Sequence, residues 1–187
     1  MYEGQELCNN SSFEVDTSSW SNPFGPNGTI TRDITQSYLG IASALIVRTV
    51  DVDQRICRWT HPSPASLTIG SYIIHIQFLL NATIKAHSGQ TFYYSFETNL
   101  GVTESAHIPV NVANNNLWQG VQLLVTIPSA ITAAFINLLT GIGTGIGDGY
   151  YVDAVQFRKI VSDQMVYPGT NPLLSTILPE RFAGAIT

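Results

Sequence analysis

The sequence predicts an all-β fold: a single β-sandwich or jelly roll of about nine or ten antiparallel strands, followed by an irregular C-terminal arm. Three observations predict it. Apolar residues make up 44% of the 187-residue chain and charged residues only 11%, against about 25% charged in an average globular protein. The polar surface must therefore be Ser, Thr, Asn and Gln, which disfavours long charged helices. Thr, Ile, Val, Tyr and Phe, all strand formers, are plentiful. The apolar residues recur in short runs of period two bounded by Gly, Pro, Asn and Ser, with no sustained helical period.

Composition also limits the partners. The net charge is −5 and the eight Lys and Arg residues are scattered, whereas a nucleic-acid binder needs a basic patch. No apolar run reaches the roughly 18 residues that span a bilayer. The N-terminus, MYEGQELCNN, has no basic start and no apolar core, so it does not read as a signal peptide. The chain is then expected to stay in the cytosol until assembly or release, or to be a fragment. Cys8 and Cys57 are either one disulfide or two buried free thiols. Sequons at Asn9, Asn10, Asn27 and Asn81 arise readily in a chain this rich in Asn, Ser and Thr.

Taken in order, residues 1–7 read as a frayed lead. Leu7–Val15 contains a first strand with Phe13 and Val15 inward. Asp16–Gly28 is a Ser-, Asn-, Pro- and Gly-rich loop, and its Trp20 either covers an end of the sandwich or stands exposed. Thr29–Thr35, Ser43–Val50 and Gln54–Thr60 are strands separated by turns. His61–Pro64 breaks the pattern. Ser71–Ala82 is the longest apolar run, and its Tyr72, Ile73, Ile74 and Ile76 favour a strand over a helix. Thr91–Thr98 is a strand, Ile108–Val112 a short one, and Leu117–Ile127 and Thr132–Leu139 two more. The glycine loop Thr140–Gly149 leads into the last. After Ile160 the pattern stops. Residues 161–187 carry three prolines, and Leu173, Leu174, Ile177, Leu178 and Phe182 make them too apolar for a solvated tail. They read as an arm that docks on a partner chain. The domain proper is 8–160.

The closing strand, Gly149–Arg158 (GYYVDAVQFR), poses a problem. Strict alternation places Tyr151, Asp153, Val155 and Phe157 on one face, where the Asp153 carboxylate is half buried. Such a carboxylate must be paired, hydrogen-bonded or metal-bound. Its partner is expected near the other end of the chain.

Several stretches, in order, resemble a known family: NSSFE at Asn10–Glu14, the strand–turn–ASALIV series over Thr29–Val47, GSYIIHIQF at Gly70–Phe78, LWQGVQLLVT at Leu117–Thr126 and YYVDAVQF at Tyr150–Phe157. Together, over residues 8–160, they resemble carbohydrate-binding modules of the family 4, 9 and 22 type, which are galactose-binding-like jelly rolls. The resemblance implies a structural calcium where the first and last strands meet, with Glu14 and Asp153 among its ligands; hard oxygen donors suit that ion. The alternative is that Asp153 accepts backbone N–H bonds and Glu14 is exposed. Ala154 stands where a second acidic residue often closes the family pattern, which weakens the ligand set.

Modules of this shape serve as appendages of secreted glycosidases and as parts of bacteriophage virions. The Met start, the lack of a signal peptide and the apolar tail favour the virion, by analogy. The expected role is a non-enzymatic component of tail, baseplate or head surface. It would attach weakly and multivalently to host glycans, as a trimer or larger array joined to other virion proteins through the C-terminal arm. A decoration protein without ligand and a module of a secreted glycosidase are the alternatives.

Saccharide binding needs aromatic planes and planar polar groups. With Tyr72, Ile74, Ile76 and Phe78 facing the core, Ile73, His75, Gln77 and Leu79 face outward. Trp59, His75, Gln77 and Tyr93 are the patch the sequence nominates, against the alternative that Trp59 and Tyr93 are core and the polar pair merely solvated. Trp118 reads as core. Catalysis has no signature: the four His residues lack an HExxH spacing, there is no nucleophile elbow, and no acidic pair is marked out. GIGTGIGDG at Gly141–Gly149 lacks the Lys of a phosphate loop and precedes a strand. Asp51–Asp53 reads as a turn rather than a calcium loop.

Overall fold

The computed structural model describes residues 5–23, 25–50, 55–80, 91–109, 117–140, 146–147 and 149–160. The C-terminal arm lies outside them, as do the Asp51–Asp53 turn, Asn81 and most of the glycine loop. The described strands are β1 (Trp20–Ser21), β2 (Gly28–Asp33), β3 (Ser43–Arg48), β4 (Arg55–Thr60), β5 (Gly70–Leu80), β6 (Thr91–Thr98), β7 (Gly101–Pro109), β8 (Gln119–Ile127), β9 (Ala134–Thr140) and β10 (Gly149–Lys159). They form two antiparallel five-stranded sheets, ordered β1-β4-β9-β6-β7 and β2-β3-β10-β5-β8. This is the jelly-roll sandwich the alternation predicts. Period-two patterning works because successive side chains of a strand face opposite ways, so one face can be buried while the other stays polar.

The core lies between the sheets and is centred on Phe157. Its ring sits 5.2 Å from Tyr72 of β5 and 5.3 Å from Phe96 of β6, with Trp59 of β4 at 6.1 Å and His61 at 6.4 Å. Residues from both sheets thus meet on one ring, and aromatic pairs of this kind add about 0.5–1.5 kcal/mol each beyond burial. His61 is buried, which holds its imidazole pKa down. Its Nδ1 accepts the Ser63 N–H at 3.1 Å, which leaves the ring proton to Nε2. Cys8 and Cys57 are two buried free thiols, and burial pushes both thiol pKa values up.

The N-terminal region departs from expectation. No strand forms over Leu7–Val15, where Asn10 and Phe13 take φ of 53° and 56° and so leave extended geometry. Phe13 is buried as expected, but Val15 is 84% exposed. The lead is anchored from Glu6 on. Past Val152, β10 loses its partner β3, and the N-terminal segment takes that place. Glu6 bridges to Arg158, Leu7 N–H donates to the Phe157 carbonyl at 2.8 Å, and Val155 N–H donates to the Ser11 carbonyl at 3.0 Å. Trp20, in the expected loop, is buried and forms β1 against Trp59. β7 begins seven residues before the strand expected at Ile108, directly after the tight turn at Asn99–Leu100.

Candidate functional site

Where β10 changes partner, the strand is bulged. Its register with β5 shifts between Asp153 and Gln156, and Ala154 sits at φ 48°. The extra residue resets the alternation. Val152, Val155 and Phe157 therefore belong to the core, and Asp153 is not on their face, as strict alternation had it.

Asp153 is nevertheless fully buried. Its Oδ2 accepts the N–H groups of Tyr38 (2.8 Å) and Leu39 (2.9 Å), and its Oδ1 accepts that of Ala154 (2.7 Å). Burial raises its carboxyl pKa above the ordinary value. The three N–H groups pull it back down, and nearby Glu14 pushes it up. Both Glu14 carboxylate oxygens face the N–H of Ile41, at 3.2 and 3.1 Å. Segment 38–41 thus lies between two carboxylates from opposite ends of the sequence. Gly40 is what admits Glu14: its φ is 74°, and a Cβ there would fall 2.1 Å from Glu14 Oε1. The Arg32 guanidinium fastens the same segment by donating to the carbonyls of Phe13 (3.1 Å) and Glu14 (3.1 and 2.7 Å).

Calcium takes about six to eight oxygen ligands. Among the described residues, no group of three or more His, Cys, Asp or Glu side chains is placed to hold a metal. The seam offers two carboxylates whose oxygens already face N–H donors, and two nearby carbonyls that already face a guanidinium. As arranged, these residues do not fit the ion. The seam is closed by hydrogen bonds.

The four residues nominated for saccharide contact do not converge. Trp59 is fully buried, with its Nε1–H donated to Asn9 Oδ1 at 2.9 Å. Alternation in β4 turns Cys57 and Trp59 into the core, so the Trp59 face is not available for stacking. His75 and Gln77 lie on the outer face of the second sheet, as expected, with Gln77 Nε2 and His75 Nε2 3.2 Å apart. They are more buried than solvated side chains would be, at 9% and 5% exposure. Tyr93 is half-buried and alternates with the core residues Tyr94 and Phe96, so it faces outward from the first sheet. Trp118, expected in the core, is half-buried with its ring centroid 5.9 Å from that of Tyr38.

The face that carries Tyr93 holds a network not nominated from the sequence. Arg58, Asn137 and Ser95 are register partners across β4, β9 and β6. Arg58 Nε donates to Asn137 Oδ1 (2.7 Å), and its Nη2 pairs with Glu97 Oε2 (2.9 Å). Asn137 Nδ2 donates to Ser95 Oγ (3.2 Å) and Glu97 Oε2 (3.1 Å). The guanidinium carbon lies 4.3 Å from the centroid of the Phe135 ring. Asn137 and Ser95 are fully buried, while the Arg58 and Glu97 side chains keep 14% and 21% exposure. The result is a hydrogen-bonded, overall neutral set of donors and acceptors, flanked by Tyr93 and Phe135. A signal was available: Asn137 is a lone polar residue between Ile136 and Leu138, and Arg58 alternates with two core residues.

No protein-family model matches the sequence, and no curated protein matches it. Solved structures do. The CBM22-1 xylan-binding domain from Paenibacillus barcinonensis Xyn10C aligns at TM-score 0.59 and 16% identity over 87% of this chain and 99% of that domain. TmCBM61, solved with β-1,4-galactotriose, aligns at 0.55 and 10% identity over 83% of this chain and 99% of that one. Two larger proteins match over 83% of this chain. An arabinose-bound GH51 α-L-arabinofuranosidase aligns at 0.63 and 14% identity, and a domain of bacteriophage CBA120 tailspike protein 4 at 0.53 and 16%. This chain spans only 26% and 21% of those two. What it shares with all four is architecture: the chain has the galactose-binding-like jelly-roll fold of the carbohydrate-binding modules.

Proposed function

We propose that this chain is a non-enzymatic glycan-binding domain whose saccharide platform is the outer face of the first sheet. The observation that carries the reading is the Arg58–Asn137–Glu97–Ser95 network. Four planar or hydroxylic groups are bonded to one another on the outer face of the sheet, beside two aromatic rings. Sugar hydroxyls both donate and accept, and amide, carboxylate and guanidinium groups serve them in fixed directions. Ordering these groups before the ligand arrives lowers the cost of binding. The fold shared with a xylan-binding domain and with a galactotriose-bound module supports the same reading.

The setting we favour is the surface of a bacteriophage virion, in tail, baseplate or head decoration. There, many copies of a weak site gain avidity against host glycans, and a trimer or larger symmetric array supplies those copies. Similarity to a phage tailspike domain supports it. The likeness to xylan-binding domains and to an arabinofuranosidase favours a second reading, a module of a secreted glycosidase. The binding test is the same for both. The protein, biotinylated and made multivalent on streptavidin, is applied to a glycan array beside its Tyr93→Ala and Asn137→Ala forms. Binding by the wild type that falls at least about tenfold in both variants supports the platform. A blank array, or equal binding by all three, overturns it.

A further inference from the structure

Among the described strands, β1 and β7 form the edges of the first sheet, and β2 and β8 those of the second. An edge strand offers a row of backbone N–H and C=O groups to any strand that comes beside it. Proteins block that row with short length, charge, proline or a bulge. Three of the four edges carry such a block. β1 has two residues. β2 ends in Arg32 and Asp33, and the Arg32 guanidinium ties that end to the carbonyls of Phe13 and Glu14. β7 contains Glu104 and closes on Pro109, and its register with β6 shifts between Phe96 and Glu97.

β8 carries none. It reads QGVQLLVTI, nine residues without charge or proline, and it pairs with β5 in unbroken register from Gln119 to Ile127. Among the described residues no strand lies on its other side. Val121, Leu123, Val125 and Ile127 face the core, while Gly120, Leu124 and Thr126 between them are exposed. Leu124 keeps 54% of its surface. Leu117 before the strand is exposed as well, as is Ile69, next to the Gly70 that pairs with the last residue of β8. The Tyr94 hydroxyl of β6 donates to the Gln122 carbonyl at 2.5 Å, which fixes the strand against the first sheet.

The partner that suits this edge is the same edge of a second copy. Two antiparallel strands related by a two-fold axis present the same groups to each other. Overlap of all nine residues sets Leu123 opposite Leu123, Val121 opposite Val125 and Leu124 opposite Gln122. Like charges directly opposite destabilise a strand pair, and here none meet: the net charge of −5 on each copy arises outside β8. The pairing also closes on itself. It leaves β2 at both ends of the joined ten-stranded sheet, where Arg32 and Asp33 stand, so the contact does not propagate.

We propose that β8 is a self-association edge: two copies of this chain pair antiparallel through Gln119–Ile127, and their second sheets join into one. The pairing is independent of glycan binding, and the two-fold pair it makes fits inside a larger symmetric array.

The test is sedimentation velocity of the full chain between about 1 and 100 µM, the range over which a contact of moderate strength passes from free to paired. The wild type is expected to sediment as a dimer at the top of that range. Leu124→Lys places an ammonium group near the axis on both copies and should weaken association at least about tenfold. Leu124 is exposed, so the core is kept. Should that variant lose its β-sheet circular dichroism, Thr126→Lys, exposed on the same edge, replaces it. Thr29→Lys puts the same charge on the exposed side of β2 and should change nothing. Where copies also join through other surfaces, the mass of the assembly should fall by half in Leu124→Lys and hold in Thr29→Lys. Amide hydrogen exchange within β8 should slow as the wild type is concentrated, but not in Leu124→Lys. A chain that stays monomeric over the whole range overturns the proposal; an outside peptide or the chain's own arm seated on this edge would give that result. An oligomer that Leu124→Lys leaves intact, or equal losses in both lysine variants, overturns it too.

Discussion

Replacing Asp153 with alanine tests the seam that joins the two ends of the chain. The carboxylate has no exposed surface and accepts three backbone N–H groups. Truncation leaves those donors facing a small void. An orphaned buried donor costs about 1–3 kcal/mol, so three would cost up to about 9 if none found another partner. Two effects reduce the sum. Segment 38–41 is at the surface, where water reaches part of it, and removal of the charge relieves the burial that raises the Asp153 pKa. A net loss of about 2–4 kcal/mol remains, which for a domain of this size lowers Tm by roughly 5–15 °C. Urea denaturation followed by tryptophan fluorescence reads it directly. Asp153→Asn keeps an acceptor and should lose about half as much. The pH dependence has a fixed sign. A carboxyl whose folded pKa is raised binds its proton more tightly when folded, so its contribution to stability falls as pH rises from the unfolded pKa through the folded one. The wild type should lose stability relative to Asp153→Asn over that interval. An Asp153→Ala protein within about 0.5 kcal/mol of wild type, the range of neutral surface changes, would refute the reasoning.

Three further outcomes follow from the same region. Gly40→Ala drives a Cβ into the Glu14 carboxylate from a φ of 74° and should cost about 2–3 kcal/mol; in a Glu14→Ala background the loss should shrink, a coupling that a double-mutant cycle in urea measures. Ala154→Val places a β-branched residue at φ 48° and should cost about 2 kcal/mol, whereas Ala154→Gly should be neutral or slightly stabilising, both by thermal melts. Because the seam carboxylates already face N–H donors, Tm in millimolar calcium and in chelator should agree to about 1 °C; a rise of several degrees with calcium would mean a cation binds the folded state.

The strands were legible because each follows from alternation and turn residues within a few positions of itself. Such local signals located β2 to β6 and β8 to β10 to within a few residues. β1 was not legible, since two residues inside a Ser- and Asn-rich loop become a strand only through Trp59 across from Trp20. The bulge at Ala154 was hidden for the same reason: it arises where β10 exchanges β3 for the N-terminal segment, a meeting of distant parts that period-two reading cannot register. That one inserted residue changed which side of β10 carries Asp153. The site was legible in fragments. His75 and Gln77 lie on the outward face of β5 that alternation gives them, and Tyr93, which alternation leaves either outward or core, faces outward. Alternation does not say which face of a strand meets the other sheet, so it leaves Trp59 either in the outward patch or in the core, and the structure puts it in the core. Nor does it say which strands become neighbours, and the Arg58–Asn137–Ser95 alignment exists only in the strand order β4-β9-β6.

The claim on which the functional account turns is that a saccharide lies across the outer face of the first sheet. The most direct measurement is a crystal structure of the protein grown with the glycan that gives the strongest array signal. The account predicts density for a sugar ring against Tyr93 or Phe135, with hydroxyls on Arg58 or Glu97, the two groups of the network that keep exposed surface. Sugar density elsewhere on the domain with this face bare would contradict it.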